Sequence, residues 1–99
     1  MILQGVGKPP GCKLIRFTAS LEGTVIKAIQ IRGDFFAVPE EAFEALESSL
    51  SGTSLLSLAD RFSDLARELG LELQGISGPG LAELVRAAYK ETQSKDKAD

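Results

Sequence analysis

Residues 12–38 read CKLIRFTASLEGTVIKAIQIRGDFFAV, and this stretch decides the fold. It contains two runs, 12–20 and 24–32, that are rich in β-branched and aromatic residues and are typical of β-strands. Only the short turn Leu21-Glu22-Gly23 separates the two runs. Because so tight a connection joins neighbouring strands of opposite direction, the stretch predicts an antiparallel hairpin.

The residues around the hairpin extend this prediction. The segment 34–38 (DFFAV) follows a glycine and predicts a short third strand. The alternation of apolar and polar residues is imperfect at Lys27-Ala28, where a β-bulge would change which side chains point inward. The opening segment 1–11 contains three glycines and two prolines, so it predicts an irregular arm.

Three apolar stripes with helical spacing follow the strands. Pro39 at the first helical position, with Glu40 and Glu41 behind it, predicts the start of the first helix. Gly52 and Gly70 stand where left-handed glycines would end the first and second helices. The stripes consist of Phe43, Leu46 and Leu50, then Leu55, Leu58, Phe62, Leu65 and Leu69, and finally Leu81, Leu84, Val85 and Ala88.

The order of these segments predicts an α+β fold with two layers, in which a three-stranded antiparallel sheet is followed by three helices packed on one face. We expect a single domain over residues 1–93. Within it, 71–76 (LELQGI) is either a short strand or a loop, and 78–80 (GPG) is either a turn or a helix start. The segment 94–99 (SKDKAD) has no apolar anchor and predicts a disordered tail.

The composition excludes several classes of function. The 99 residues include no histidine, which removes the commonest general acid–base and the commonest metal ligand. The single cysteine, Cys12, excludes an intrachain disulfide and a metal cage built from several thiolates. No apolar run approaches the roughly 20 residues of a membrane span, and the N-terminus lacks the apolar segment of a signal peptide. We therefore expect a cytoplasmic protein without a metal site.

Charge is distributed unevenly along the chain. Residues 1–32 contain five lysines and arginines and one acidic residue, whereas residues 33–99 contain six and thirteen. This asymmetry indicates either two surfaces of different character or a generally well-solvated exterior. Binding to nucleic acid is disfavoured, because it requires a larger positive field than a chain with a net charge of -3 provides.

Several segments resemble chemical motifs whose context they lack. The segment 5–11 (GVGKPPG) has neither the glycine spacing nor the hydroxyl residue of a phosphate-binding loop. The segment 75–80 (GISGPG) lacks the acidic residue of a dinucleotide site. A lysine beside Cys12 is the feature that would favour a reactive thiol if the two side chains are close, but we interpret Cys12 as a structural strand cysteine. Four carboxylates at helical spacing favour a solvated helix face over an acid–base pair or a metal site. They are Glu40, Glu41, Glu44 and Glu47.

The sequence GDFF at residues 33–36 is the most distinctive feature. A glycine and a carboxylate at a strand junction indicate a constrained backbone, with Asp34 accepting local N–H bonds. Phe35 and Phe36 should point to opposite faces of their strand. One of the two belongs to the core, and the other needs cover from the helices, the N-terminal arm or a partner protein.

The run from Gly11 to Gly52 resembles the C-terminal domain of lipoate–protein ligases. In that family a G-K-L-I/L-R strand leads through an acidic-glycine turn and a GDFF strand to a proline-started helix that ends in L-x-G. The resemblance covers about residues 8–89 and is most specific at GDFF-x-x-P-E. The positions that match the family motif are Gly11, Lys13, Gly33, Asp34, Phe35, Phe36, Pro39 and Gly52.

The resemblance implies a division of labour between two proteins. In the family, the ATP- and lipoate-binding site and its catalytic lysine lie in a separate, larger domain, and the small domain is needed to activate lipoate to lipoyl-adenylate. In archaeal-type systems the small domain is a separate chain. The resemblance thus implies a non-catalytic accessory subunit that forms a heterodimer with a large catalytic subunit. That partner would bind ATP, magnesium and lipoate. The accessory subunit would interact with lipoyl acceptor proteins only indirectly.

The basic N-terminal segment offers residues for such a role. Adenylation develops negative charge on phosphate oxygens, and positioned cations stabilise that charge. Our hypothesis is that Lys13, together with Lys8, Arg16 or Arg32, faces the nucleotide pocket of the partner. The alternative is that these side chains are solvated surface residues.

Two other classes of function stay open. Iron–sulfur scaffolds and sulfur acceptors share a similar small sheet-plus-helices architecture. A scaffold needs several thiolates, whereas a sulfur acceptor needs one exposed, reactive cysteine. The other class is a free-standing protein-binding module.

Overall fold

The computed structural model describes the backbone of residues 1–98 and the side chains of residues 1–93. Its main sheet has three strands, β1 (Ile2–Gly7), β2 (Ile15–Glu22) and β3 (Val25–Gly33). They pair antiparallel in the order β1-β2-β3. The hairpin expected from residues 12–38 is thus β2 and β3.

A second, two-stranded sheet lies beside the first. It consists of β4 (Phe36–Val38) and β5 (Glu72–Gln74), which pair antiparallel with Ala37 opposite Leu73. The segment 71–76, which the sequence left open, therefore contains a strand.

Three helices complete the chain. They are α1 (Glu40–Ser49), α2 (Leu58–Glu68), which a 3₁₀ turn at Leu55–Ser57 precedes, and α3 (Gly78–Ala98). The GPG segment starts α3. None of the helices among residues 1–98 combines the length and the apolar composition that crossing a membrane requires.

The core lies between one face of the main sheet and the helices. Helix α1 packs on β3 and β4, α3 packs on β1, and α2 contacts both other helices. In β2, every second residue is buried in this core, as the alternation along a strand requires. The most deeply buried side chains are Leu3, Ile15, Ile26, Ile31, Leu46, Leu50, Leu58, Phe62, Leu81 and Val85. The predicted α+β fold, with a three-stranded antiparallel sheet and three helices, is confirmed.

The irregular arm predicted for residues 1–11 is wrong in its first half, because β1 occupies residues 2–7. The glycines that suggested irregularity serve packing. A Cβ on Gly5 would lie 2.6 Å from the Phe17 ring, and one on Gly7 would lie 2.7 Å from Leu84 Cδ1. Side chains from β2 and α3 therefore take the space that larger residues in β1 would need.

The predicted third strand also has a different place. The segment 34–38 does not extend the hairpin; its last three residues form β4 and pair with β5 instead. The third member of the main sheet is β1. Gly33 is the last residue of β3, and the strand that follows it pairs with β5 in a separate sheet.

Local details follow the sequence more closely. The register shifts at Ser20/Leu21, which face Ala28 and Ile26 and leave Lys27 as the extra residue of a bulge. Gly52 and Gly70 have positive φ angles of 88° and 67°, as predicted for helix ends.

The prediction that Pro39 is the first residue of α1 is wrong. It is the extended N-cap residue, with ψ 152°, and Glu40 is the first residue of the helix. Helix α3 includes residues 94–98 of the predicted disordered tail, and Asp99 lies outside the described residues. The disorder of this segment stays a prediction.

Candidate docking site

The GDFF junction, residues 33–36, begins with a glycine that the packing requires. Gly33 has a φ angle of 150°, and a Cβ there would overlap the carbonyl oxygen of Leu14 and lie 3.0 Å from the Ile15 Cα. The N–H of Asp34 donates to that same Leu14 oxygen at 2.9 Å. The end of β3 is therefore held against the start of β2 by a backbone contact that leaves no room for a side chain.

Asp34 has a different role from the predicted one. Among the hydrogen bonds of the described residues, Asp34 contributes its backbone N–H, and its side chain is exposed. The expectation that its carboxylate accepts local N–H bonds is wrong. The donor at this junction is the main chain, because the close approach permitted by Gly33 brings the Leu14 carbonyl within reach.

The two phenylalanines of the junction differ in exposure. Phe35 is half-buried and packs against Phe43 of α1, with ring centroids 5.3 Å apart. Phe36 is 63% exposed. Of the covers that the sequence suggested for it, neither the helices nor the N-terminal segment supplies one.

An open groove of about 660 Å³ runs between the junction and α1. Its apolar lining includes Phe35, Phe36, Val38 and Phe43. Its charged lining residues are Arg32, Glu40, Glu44 and Glu47.

Glu47 fastens α1 to the edge of the main sheet. Its Oε2 accepts the backbone N–H of Ile31 at 2.6 Å and an N–H of the Arg32 guanidinium at 3.2 Å. The Glu47 side chain is only 11% exposed. Treating all four carboxylates of this helix as one solvated face was wrong for Glu47. Its position four residues after the inward Phe43 was the signal that could have identified it.

We expect Glu47→Ala to lower the free energy of unfolding by about 1–3 kcal/mol, because the Ile31 N–H would lose an acceptor of full negative charge. Urea unfolding followed by circular dichroism measures this change.

Glu44→Ala is the matched control. It lies on the same helix and its side chain is exposed, so the expected change is within about 0.5 kcal/mol. Equal losses in the two variants would contradict a fastening role for Glu47.

The four basic residues singled out in the sequence lie at one end of the main sheet. There Gly7, Ile15 and Gly33 form one row across the strands. Each of the four is exposed and stands within two residues of that row. They are Lys8, Lys13, Arg16 and Arg32.

Two of these residues lie opposite each other on neighbouring strands. Arg16 lies opposite Arg32 on the sheet face that the helices leave uncovered. Like charges in that position repel each other, and Glu47 offsets only the charge of Arg32.

Lys13 lies at the same end but turns towards the second sheet. Its N–H donates to the Gly75 carbonyl at 2.8 Å. Its Cγ lies 2.6 Å from where a Gly75 Cβ would stand. The aliphatic stem is therefore packed, while the side chain as a whole remains exposed.

The remaining motif residues shape the backbone. Gly11 has a φ angle of 78° in the turn between β1 and β2, where the Cys12 N–H donates to the Pro9 carbonyl at 2.9 Å. Pro39 and Gly52 bracket α1.

Cys12 lies inside the fold. Its side chain is buried, and its Sγ lies 3.8 Å from Ser77 Oγ. A sulfur acceptor needs an accessible thiol, so this burial disfavours that class. Among the side chains of residues 1–93, no three metal-binding groups come together in a cluster that could hold an ion.

Comparison with known proteins identifies the family. One relative is "Lipoate-protein ligase A subunit 2" of Thermoplasma acidophilum, which is 40% identical over 68 residues, or 69% of this chain and 66% of the relative. A solved structure superposes with a TM-score of 0.70 and 32% identity, and covers 84% of this chain and 92% of that one. It comes from a study of an archaeal lipoylation system, a bipartite lipoate–protein ligase and its E2 lipoyl domain, also of Thermoplasma acidophilum.

This chain belongs to the lipoate–protein ligase A subunit 2 family. The resemblance deduced from residues 11–52 is thereby confirmed. The alignment with the curated relative spans just under two thirds of that protein's length. No protein-family model matches the chain.

Proposed function

We propose that this subunit 2 family member is the accessory subunit of a bipartite lipoate–protein ligase. In this proposal it forms a heterodimer with a large catalytic subunit and is required there for the ATP-dependent activation of lipoate to lipoyl-AMP, and so for protein lipoylation. The observation that carries the proposal is the likeness, in sequence and in fold, to one chain of the Thermoplasma system.

The partner supplies the reactive centre in this proposal. It binds ATP, magnesium and lipoate, and the accessory subunit meets lipoyl acceptor proteins only indirectly. The lack of histidine supports a non-catalytic role for the chain alone. A cytoplasmic location belongs to the same proposal and is supported by the single free cysteine, since disulfides are rare in that compartment.

The accessory subunit acts by completing the catalytic site of its partner. Closure of a domain over a reaction centre excludes water and positions charged groups. The four basic residues at the end of the main sheet are suited to this task because a developing phosphate charge is stabilised by cations already in place. We assign them to the side that faces the partner's nucleotide pocket.

Reconstitution tests the proposed function. The full chain is mixed with a purified large subunit of the bipartite type, and lipoate-dependent exchange between ATP and pyrophosphate is measured together with lipoylation of an acceptor domain. We expect both activities to depend on the accessory chain. If the large subunit works equally well alone, or if the mixture stays inactive, the proposed function is wrong.

Lys13→Met is expected to lower the rate of pyrophosphate exchange about tenfold, which corresponds to about 1.4 kcal/mol of transition-state stabilisation. Methionine keeps the aliphatic packing against Gly75 and removes only the charge. Lys13→Arg should restore most of the rate.

Lys27→Met serves as the control for Lys13. Lys27 pairs with Glu22 at the opposite end of the main sheet, and its side chain is 57% exposed. The same loss of charge there should leave the exchange rate unchanged. An unchanged rate in Lys13→Met would remove Lys13 from the nucleotide-facing side.

A further inference from the structure

The groove between the GDFF junction and α1 has an apolar rim that this chain leaves uncovered. Phe36 is 63% exposed and Val38 is 41% exposed, and their register places both on the same face of β4. An aromatic side chain offers a large apolar area, whose removal from water is favourable. Below the rim, Phe35 and Phe43 pack together and form a preformed floor.

The charge of the groove selects the chemistry of its occupant. Glu40 and Glu44 line it, are exposed, and make no ion pair among the described residues. Its one basic residue, Arg32, is already bound by Glu47. A carboxylate or phosphate ligand would therefore meet net negative charge, whereas a lysine or arginine would find two free carboxylates.

The shape of the groove favours an extended chain over a compact ligand. The groove is open to solvent, and the four consecutive residues 35–38 line it. Within the described residues, β4 pairs with β5 alone, so its other edge has no strand partner there. Strand addition uses main-chain hydrogen bonds for affinity and side-chain pockets for specificity.

We propose that this groove binds an extended segment of the large catalytic subunit, one in which an apolar side chain is flanked by lysine or arginine. The apolar side chain lies against Phe36 and Phe43, and the basic residue faces Glu40 and Glu44. This inference rests on the proposed function and assigns its docking surface. It also gives the family motif a physical role, since Gly33 sets the junction and Phe36 presents the contact.

The test measures binding of the full chain to the purified large subunit by calorimetry, in the absence of nucleotide and lipoate. Phe36→Ser should raise the dissociation constant at least tenfold. The double variant Glu40→Lys, Glu44→Lys should raise it further, and the loss should diminish at high salt because exposed charges are screened. A melting temperature equal to that of the wild type shows that a variant retains the fold.

Leu56→Ser is the matched control, because Leu56 is another exposed large apolar residue, 85% exposed, and lies in the 3₁₀ turn outside the groove. It should bind like wild type. If Phe36→Ser also binds like wild type while the mixture still lipoylates its acceptor, the docking site is overturned and the proposed function stands. If the wild-type chain does not bind the large subunit, both are overturned.

Two further titrations test other occupants. Lipoate alone, or a second copy of the chain, is added and chemical shifts of the Phe36 and Val38 amides are followed by NMR. We expect no change at these residues. Saturable shifts with either one would assign the groove to that occupant and overturn the proposal.

Discussion

Phe62→Asp is expected to leave the chain unfolded at room temperature. Phe62 lies at the centre of α2, is 1% exposed, and packs edge-on against Phe43 with ring centroids 6.5 Å apart. Removing a buried phenylalanine side chain costs about 3–5 kcal/mol, and burying a carboxylate without a partner adds several more. A small domain has a free energy of unfolding near the lower end of about 5–15 kcal/mol. The summed cost of the substitution exceeds this free energy.

Leu56→Asp provides the matched control for Phe62→Asp. Leu56 is six residues earlier and 85% exposed, so the same new charge should change the free energy of unfolding by no more than about 0.5 kcal/mol. Far-ultraviolet circular dichroism and the melting temperature measure both variants. A Phe62→Asp variant that melts like wild type would mean that the Phe62 face of α2 is not packed in the core.

The parts of the fold that the sequence predicts are those set by local periodicity. The stripe through Leu58, Phe62 and Leu65 identifies α2, since each of these residues is buried on one side of the helix. The hairpin of β2 and β3 follows from strand-like runs and a tight turn. The bulge at Lys27 is equally visible, because an inserted residue disturbs the alternation.

The parts that the sequence does not predict depend on tertiary neighbours. In β1, the space beside Gly5 is filled by Phe17 from the next strand. No local sequence pattern predicts this contact. The pairing of β4 with β5 joins segments more than thirty residues apart. A short strand of three residues carries too little alternation to select its partner.

The candidate site also has some residues that the sequence identifies and others that it does not. The sequence identifies Gly33 and predicts the opposite directions of Phe35 and Phe36, because chain geometry dictates both. It does not identify Glu47, whose partners are a backbone N–H of β3 and a neighbouring arginine. A carboxylate on a helix has the same sequence signature whether it meets water or the edge of a sheet.

Gly33 is identified by the sequence and also makes a tertiary contact. Gly33→Ala is the second variant with a large expected effect. Its backbone conformation alone costs about 1–3 kcal/mol for a residue with a side chain. The new Cβ would also overlap the Leu14 carbonyl oxygen. The end of β3 must therefore move away from β2 and lose the bond from the Asp34 N–H. We expect a loss of about 3 kcal/mol or more in the free energy of unfolding, because the overlap adds to the cost of the backbone conformation.

Gly23→Ala separates the overlap from the backbone conformation. Gly23 has a φ angle of 63°, and a Cβ there meets nothing within 4 Å, so only the conformational cost of about 1–2 kcal/mol applies. In urea unfolding, Gly33→Ala should be the more destabilised of the two variants, chiefly because of the overlap. Because Gly33 also places Phe36 on the groove, Gly33→Ala should weaken binding to the large subunit, whereas Gly23→Ala should not. Equal destabilisation in the two variants would show that the contact with Leu14 does not hold the junction in place.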